Sequence, residues 1–205
     1  MRYRKDLKTR KIHKNRILIL CEGKTEKVYL EGLRRSFPRQ FQRDISLEIT
    51  QADHSEPVTA IKELVTKIKK ARLEMQPFTE SWLVFDDDNR NLNVVFQELE
   101  KRKINYVYNS IAIEFWFLLH YKDNSRQFEN ANAVIKELEK YTGPFSKTDQ
   151  ELWNKLKANY QIAKQRAVKL RNKHKTNGSF LPNCKPYTNM DILVDKLNNL
   201  LNNTA

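Results

Sequence analysis

The stretch RILILCEGKTEKVYLEGLRR, residues 16–35, decides the fold class of this chain. Its first part, from Ile17 to Cys21, is short, continuous and apolar, which is typical of a strand covered on both faces of a sheet. From Thr25 to about Phe37 the apolar spacing predicts a helix. A buried strand followed directly by a helix is the repeating unit of α/β proteins.

The same unit recurs along the first half of the chain. The predicted elements that follow are strands over 46–50, 82–85 and 104–109 and helices over 57–72 and 91–103. Strands and helices that alternate with short connections favour parallel pairing, because each helix carries the chain back to the start of the next strand. We therefore predict an α/β fold with a mainly parallel sheet and helices on both faces.

From Ile113 onward the pattern is helical. Predicted helices cover 113–120, 131–140, 149–175 and 187–201. The chain has no internal repeat and no low-complexity linker, so no clean domain boundary is expected. The predicted parts are a basic N-terminal arm over 1–15, an α/β core over 16–125, and a helical C-terminal extension over 126–205 that packs on the core.

The amino-acid composition argues against several classes of protein for this chain, among them disordered, collagenous, secreted and membrane-spanning proteins. With 205 residues, 40% of them hydrophobic, and only 4 Gly and 6 Pro, the chain is neither disordered nor collagenous. The N-terminus lacks the apolar centre of a secretion signal, and the most hydrophobic run, 111–121, is about half the length of a membrane span. Two cysteines cannot build a disulfide framework, so a reducing compartment, the cytoplasm, is expected.

Charge points to a polyanionic partner. The chain carries 38 Lys and Arg against 25 Asp and Glu, a formal net charge of +13, which favours nucleic acid over a membrane surface. The predicted helix over 149–175 is strongly basic in its second half, and this face is either simply solvated or a ridge for RNA or DNA phosphates. The candidate nucleic-acid contacts are Lys24, Arg90, Lys164, Lys169, Arg171 and Lys173.

Acidic side chains follow two of the predicted strands. Glu22 comes directly after the first strand, with Gly23 and Glu26 beside it, and the triplet 86–88 follows the third strand. In an open α/β sheet the carboxyl ends of the strands share one edge, where ligands bind. An acidic cluster repels itself unless Lys24 or Arg90 nearby, protonation of one acid, or a hard divalent cation offsets the charge. Mg²⁺ or Mn²⁺ with oxygen ligands suits such a place. If the triplet is extended, Asp86 and Asp88 point to one side and Asp87 to the other.

A structural interpretation of each acid is also open. Glu22 and Glu26 could simply complement the dipole of the following helix, and Asp88 could cap the helix near Asn91. Because both acidic groups are predicted at the same edge of the same sheet, we favour a cation site. Two ions there could activate water and stabilise the leaving oxygen in phosphodiester cleavage.

These motifs resemble two known groups of proteins. Glu22-Gly23-x-x-Glu26 after one apolar strand and Asp86-x-Asp88 after another is similar to the signature of Toprim domains, the catalytic fold of primases, type IA topoisomerases and OLD-type nucleases. Four blocks in order resemble the RloB family of Toprim-like proteins from bacterial restriction and phage-defence islands. The blocks are CEGKTEKVYLEGLR (21–34), WLVFDDDN (82–89), NSIAIEFWFLLHY (109–121) and Pro186-Tyr187-Thr188.

The resemblance assigns roles to particular acids. It implies that Glu22 is a general base or metal ligand, that Asp86 and Asp88 hold Mg²⁺, and that Glu26 is a supporting acid. The family block ending in Phe-Glu-x-Trp-x-x-x-His corresponds to Glu114 and His120 here. The chain departs from the family pattern at 110–113, where it has Ser-Ile-Ala-Ile in place of an Asn-Pro type turn.

Residue chemistry also bears on the last two candidates. An acid within an apolar helix is costly to bury unless it is paired or faces a site, and together with the family resemblance this leads us to expect Glu114 at the edge of the active site. A lone histidine after an apolar run is more often a packing residue, although histidine is the usual acid or base near neutral pH. His120 is therefore kept as a catalytic candidate with that alternative beside it.

The expected function is a Mg²⁺-dependent nuclease in bacterial antiviral defence, acting on RNA, such as tRNA, or on DNA. The family resemblance also implies a partner ATPase of the structural-maintenance type, and an oligomer is compatible with the sequence. The alternatives are a non-catalytic nucleic-acid-binding adaptor of a defence ATPase complex and a primase-like nucleotidyl transferase. Replacing the acids separates the first alternative from a nuclease, and nucleotide incorporation separates the second.

Overall fold

A five-stranded sheet organises the chain, and the computed structural model describes residues 15–87 and 92–202. Its strands are β1 (Asn15–Cys21), β2 (Ile45–Gln51), β3 (Glu80–Asp86), β4 (Asn105–Ser110) and β5 (Tyr187–Thr188). The spatial order is β2-β1-β3-β4-β5, in which the first four strands are parallel and β5 pairs antiparallel with β4 at the edge. The predicted basic arm, except Asn15, lies outside the described residues.

Helices connect and cover the strands. They are α1 (Lys24–Arg35), α2 (Arg39–Asp44), α3 (Pro57–Leu73), α4 (Asn93–Arg102), α5 (Glu114–Leu119), α6 (Ala131–Thr142), α7 (Leu152–Leu156), α8 (Tyr160–Thr176) and α9 (Met190–Asn202), with a 3₁₀ turn at Lys157–Asn159. Within 15–87 and 92–202, none of these helices has both the length and the apolar character that crossing a membrane requires.

The continuous apolar run of β1 is explained by burial on both faces of the sheet. Ile17 and Ile19 pack on one face, together with α1 and the helices of the C-terminal half. Leu18 and Leu20 pack on the other face against α3 and α4. Because side chains alternate between the faces of a strand, a strand with helices on both sides must be apolar at every position. The predicted α/β class, with helices on both faces, is confirmed.

The strand order positions the site. From β1 the chain moves to one side to form β2 and then crosses back to form β3 on the other side of β1. The connections after β1 and β3 therefore leave the sheet in opposite directions, and a crevice opens between the carboxyl ends of these two strands. In open α/β sheets this switch point is where ligands bind.

Three local predictions differ from the structure. The helix predicted over 149–175 is divided into α7 and α8 by the 3₁₀ turn, and the short helix α2 was not predicted. The first of the two helices, α7, packs closely on α1, since a Cβ on Gly32 would lie 2.8 Å from the Cβ of Trp153.

The last helix begins at Met190 rather than at Tyr187, because 187–189 are held by β4. The Asn189 side chain accepts a hydrogen bond from the backbone N–H of Tyr108 at 2.8 Å and donates one to the carbonyl of Tyr106 at 3.2 Å. The C-terminal part of the chain therefore completes the sheet as well as covering it.

Candidate active site

A cavity of about 220 Å³ lies at the carboxyl ends of β1 and β3. Four carboxylate side chains line it, Glu22, Glu26, Asp86 and Glu114. The other lining residues are Gly23, Lys24, Thr25, Ser55, Ala112, Ile113, Ala131 and Lys147. The switch point of the sheet thus brings together acids that are up to 92 positions apart in the chain, from Glu22 to Glu114.

Glu22 extends the pairing of β1 with β3 by one residue. Its backbone N–H donates to the carbonyl of Val84 at 2.9 Å, and its Oε2 lies 3.4 Å from the backbone nitrogen of Asp86, which donates to it. The side chain is only 7% exposed. The parallel pairing therefore sets the Glu22 carboxylate directly beside the last residue of β3.

Glu26 is packed against the turn that begins α1. A Cβ on Gly23 would lie 2.4 Å from Oε2 of Glu26, which is shorter than any real contact. Gly23 therefore leaves the space that the Glu26 carboxylate occupies, and Glu26 is itself buried in the first turn of the helix. The Glu26 carboxylate and not the backbone angle limits the space for a side chain at position 23, since φ is −107°.

Asp86 is held by a donor on each of its carboxylate oxygens. The side-chain amide of Asn109 donates to Oδ1 at 3.0 Å, and the backbone N–H of Ile113 donates to Oδ2 at 3.1 Å. Burial raises the pKa of Asp86 well above its usual range, and the nearby charges of Glu26 and Glu114 raise it further, while the two donors lower it. The cavity thus concentrates negative charge that a cation would offset.

Glu114 is the first residue of α5 and is 2% exposed. Burial raises its pKa, and Lys147, whose Nζ lies 4.0 Å from Oε1, acts in the opposite direction. The structure places this acid in the wall of the cavity, at the edge where it was expected. It is an acid that can hold a proton nearer to neutral pH than an exposed glutamate does.

Asp87 points away from the side that Asp86 faces, as the strand period predicts for an extended segment. Asp87 is 1% exposed and turns away from the cavity, where its Oδ2 forms an ion pair with Nζ of Lys185 at 2.5 Å and accepts a hydrogen bond from Ser110 Oγ at 3.4 Å. Asp88, predicted as a metal ligand, and Arg90, predicted as a nucleic-acid contact, lie outside the described residues.

His120 does not line the cavity. Its Nδ1 is 3.0 Å from the carbonyl of Trp116, and the two rings meet edge to face with centroids 4.7 Å apart. Burial lowers the pKa of His120 to about 4, so the ring is neutral near pH 7. Its Nε2 has no hydrogen-bond partner among the described residues. These surroundings are those of the packing residue that was the alternative interpretation.

The predicted basic contacts fall into different environments. Lys24 is exposed at the start of α1 and lines the cavity. On α8, Lys164 forms an ion pair with Asp195 at 2.7 Å, and Lys173 forms no ion pair with any residue in the described ranges. Of these three lysines, Lys24 is therefore the one at the acidic cavity.

Arg171 and Lys169 are both engaged, although to different degrees. The Arg171 guanidinium donates to both oxygens of the buried Asp191, at 2.6 and 2.7 Å, and to the carbonyl of Thr188 at 2.8 Å. The structure therefore uses Arg171 to hold α9 and β5 to α8. Lys169 pairs with Asp123 at 2.6 Å, but both side chains are more than half exposed.

Three residues at or beside the cavity were not found from the sequence. Asn109, which contacts Asp86, is the last residue of the strand predicted over 104–109 and the next to last of β4, so the rule that placed the acids at strand ends could have found it. Lys147 and Ser55 come from loops with no periodicity, and no local pattern marks them as cavity residues.

The donor set of the cavity fits a hard cation held in an open site. Among residues 15–87 and 92–202, no three His, Cys, Asp or Glu side chains are arranged to hold a metal ion by themselves. Mg²⁺ commonly takes only one or two protein carboxylates and completes its shell with water and substrate phosphates. Glu22 and Asp86 supply such a pair, and the crowded charge around Asp86 favours a cation there.

Comparison with known proteins identifies a family. A family model described as RloB-like protein matches residues 17–197 of the chain. The matched range contains every residue that lines the cavity. No curated protein and no solved structure matches the chain significantly.

Proposed function

The chain belongs to the RloB-like family, and from this premise we propose that it is a Toprim-like nuclease that cleaves phosphodiester bonds of RNA or DNA with Mg²⁺ or Mn²⁺. The observation that carries the proposal is the contact of Glu22 with Asp86 across the switch point of the sheet, in a cavity that four carboxylates line. Such a concentration of acid in a chain with a net charge of +13 favours a cation site over ordinary surface charge.

In this proposal Glu22 and Asp86 would hold the cation, and the metal would polarise a phosphoryl oxygen and lower the pKa of a bound water. Asn109 and the backbone N–H of Ile113 orient the Asp86 carboxylate, so that its lone pairs are directed before any ligand arrives. The buried Glu26 adds negative charge behind this pair, which raises the affinity for a cation.

The remaining polar groups of the cavity suit a phosphate. Lys24 and Lys147 are its two cations, and both side chains are exposed enough to turn towards a bound phosphodiester. Glu114 holds a proton on its carboxylate more readily than an exposed glutamate, which suits an acid that donates to the leaving oxygen. The positive charge elsewhere on the chain would attract the polyanion.

The biological setting is part of the same proposal. The family resemblance supports a role in bacterial antiviral defence, with a structural-maintenance-type ATPase as partner, and the two buried free cysteines suit the cytoplasm. A partner of this kind would restrain or trigger the nuclease.

Cleavage assays test the proposal directly. Labelled tRNA, single-stranded RNA and DNA, and duplex DNA are incubated with the protein in Mg²⁺, in Mn²⁺ and in chelator. Cleavage that needs the metal and is lost in Asp86→Asn supports a nuclease. Asp53→Asn is the matched control, because it removes one exposed carboxylate outside the cavity.

A second measurement covers a protein that needs a partner for activity. Mg²⁺ should raise the melting temperature of the wild type and of Asp53→Asn, but not that of Asp86→Asn. Incorporation of nucleotides without cleavage would instead indicate the nucleotidyl transferase. Absence of both activities and of any metal effect, with polynucleotide binding retained, would indicate the adaptor.

A further inference from the structure

A second cavity, of about 340 Å³, lies beside α8 and shares no lining residue with the candidate active site. We refer to it as the α8 pocket, which is lined by Asp123, Asn124, Ser125, Arg166, Lys169, Leu170 and Lys173. Three cations and one acid give its lining a formal charge of +2. The candidate active site has the opposite balance, with four acids and two cations.

The cations of the α8 pocket share one side of the helix. Arg166, Lys169 and Lys173 are three, four and seven positions apart, which is the spacing of neighbours along one helical face. Lys175, by contrast, is two residues beyond Lys173, about 200° around the helix, and does not line the pocket. The charge is thus directed into a concave place and is not a uniformly solvated helix surface.

These cations differ in how firmly they are engaged. Arg166 donates to the carbonyl of Leu119 at 2.7 Å and is fixed at the inner end of the pocket. Lys169 pairs with Asp123 at the surface, an interaction worth at most about 1 kcal/mol. Lys173 is exposed and pairs with no residue of the described ranges. An incoming phosphate could therefore recruit Lys173 at once and Lys169 at small cost.

We propose that the α8 pocket binds the sugar-phosphate backbone of the polynucleotide that the candidate active site cleaves, an inference that rests on the proposed function. The lining contains no aromatic side chain on which a base could stack, and its only apolar member is Leu170. Lysine ammonium groups on flexible stems suit phosphate oxygens as point charges. Binding of this kind depends on the charge of the phosphates and not on the base sequence.

The position of α5 supports the link between the two cavities. Its first residue, Glu114, lines the candidate active site, and its last residue, Leu119, accepts the hydrogen bond from Arg166. Five helical steps of 1.5 Å separate these residues, about 8 Å along the axis. The two cavities therefore lie at opposite ends of α5, and a phosphate held in the α8 pocket would position the strand for cleavage at the other end.

Fluorescence anisotropy with labelled single-stranded RNA and DNA tests this inference, in chelator so that cleavage does not interfere. We expect Lys173→Glu to weaken binding about tenfold, equally for unrelated sequences, and to lower the slope of log affinity against log salt by about 1. Lys175→Glu is the matched control, because it makes the same charge change on the same helix outside the pocket. We expect it to alter affinity less than twofold.

The outcomes separate the inference from the proposed function. Equal effects of the two variants would overturn the α8 pocket as a binding site. Displacement of the polynucleotide by submillimolar AMP or inorganic phosphate would overturn the backbone assignment in favour of a small-anion site. Metal-dependent cleavage together with an affinity that Lys173→Glu does not change contradicts the pocket alone. Lys173-dependent binding without cleavage and without any effect of Mg²⁺ on the melting temperature contradicts the nuclease alone. Because Lys173 is exposed, melting temperatures should be unchanged, which a thermal scan of each variant checks.

Discussion

The side-chain amide of Asn109 donates a hydrogen bond to Asp86 at 3.0 Å, and its carbonyl oxygen accepts one from the Thr188 hydroxyl at 2.7 Å. One buried side chain therefore connects the last residue of β3, which lines the cavity, with the edge strand β5. The C-terminal part of the chain supports the candidate active site through this link, although β5 contributes none of the residues that line the cavity.

Asn109→Ala should impair the site more than the fold. Asp86 would lose one of its two donors, and residues that orient a metal ligand typically change metal affinity or activity by 10- to 100-fold. We expect a loss of that size in metal-dependent cleavage, with polynucleotide affinity unchanged. The measurements are cleavage rates over a range of Mg²⁺ concentrations, and anisotropy in chelator.

Thr188→Val is the matched control for this prediction, since it breaks the contact with Asn109 and leaves the contact with Asp86 intact. We expect it to lower stability by about 1 kcal/mol and cleavage much less than Asn109→Ala does. Equal losses of cleavage in the two variants, after correction for stability, would contradict the positioning role of Asn109.

Gly23→Ala should destabilise the protein through Glu26. The added Cβ would lie 2.4 Å from the Glu26 carboxylate, so that the acid must move, and overpacking of this kind typically costs about 1–3 kcal/mol. The free energy of unfolding in urea measures this cost. In a Glu26→Ala background, Gly23→Ala should lower the free energy of unfolding much less, because the clashing carboxylate is gone. Additive effects in the double variant would show that Gly23 is needed for another reason.

Lys147→Ala should slow cleavage without unfolding the protein. The side chain is 60% exposed, and its ion-pair partner is Glu114, at 4.0 Å, so its loss removes positive charge from the cavity rather than packing. We expect a roughly tenfold lower rate at saturating substrate, an unchanged melting temperature, and partial rescue by Lys147→Arg. Lys136→Ala serves as the control, because Lys136 is an exposed lysine of α6 that does not line the cavity. Slow cleavage by Lys136→Ala would show that the rate depends on the net charge of the protein and not on a cation in the cavity.

Stability should fall on acidification because of His120. Burial lowers the pKa of His120 from 6.5 to about 4, so the unfolded chain binds this proton more readily than the folded one. The stabilising contribution is complete above about pH 6.5 and is lost as the pH falls towards 4. The shift from 6.5 to about 4 corresponds to roughly 3 kcal/mol, at 1.36 kcal/mol for each unit of pKa.

Urea denaturation across this pH range measures the effect, and His120→Gln should lack its share of the pH dependence. The pH profile of cleavage should not change in form in this variant, since His120 does not line the cavity. A wild type and a His120→Gln variant with parallel stability curves would show that the histidine is not buried as a neutral ring.

Arg171→Ala should be the most destabilising change on α8. It leaves the buried Asp191 carboxylate without its bidentate partner, and breaking such a pair from one side typically costs about 3–5 kcal/mol. The double change Arg171→Met with Asp191→Leu should recover most of that loss, because no buried charge then remains. Thermal denaturation of the wild type and of these two variants tests the prediction. If Arg171→Ala were stable and instead lost only polynucleotide affinity, the guanidinium would be a phosphate contact.

The elements that the sequence predicted well are those with a strong local pattern. The apolar run of β1 predicted a strand and the periodicity of α3 predicted a helix, each close to the observed bounds. Burial on one or both faces requires apolar side chains at a regular spacing, and neighbouring residues show that spacing directly. The division between α7 and α8 and the short strand β5 were missed. Both depend on distant partners, Gly32 for α7 and the backbone of β4 for β5.

The residues of the candidate site also separate into those that the sequence predicted and those that it did not. By itself, the sequence determined that acids follow β1 and β3, and parallel strands must bring such positions to one edge, so Glu22 and Asp86 were predicted together. Only the tertiary structure decided that Lys147 joins them, that Asp87 forms an ion pair with Lys185, and that Arg171 binds Asp191. Local patterning is set by backbone geometry over a few residues, whereas the partner of a charged side chain is set by which distant elements fold against it.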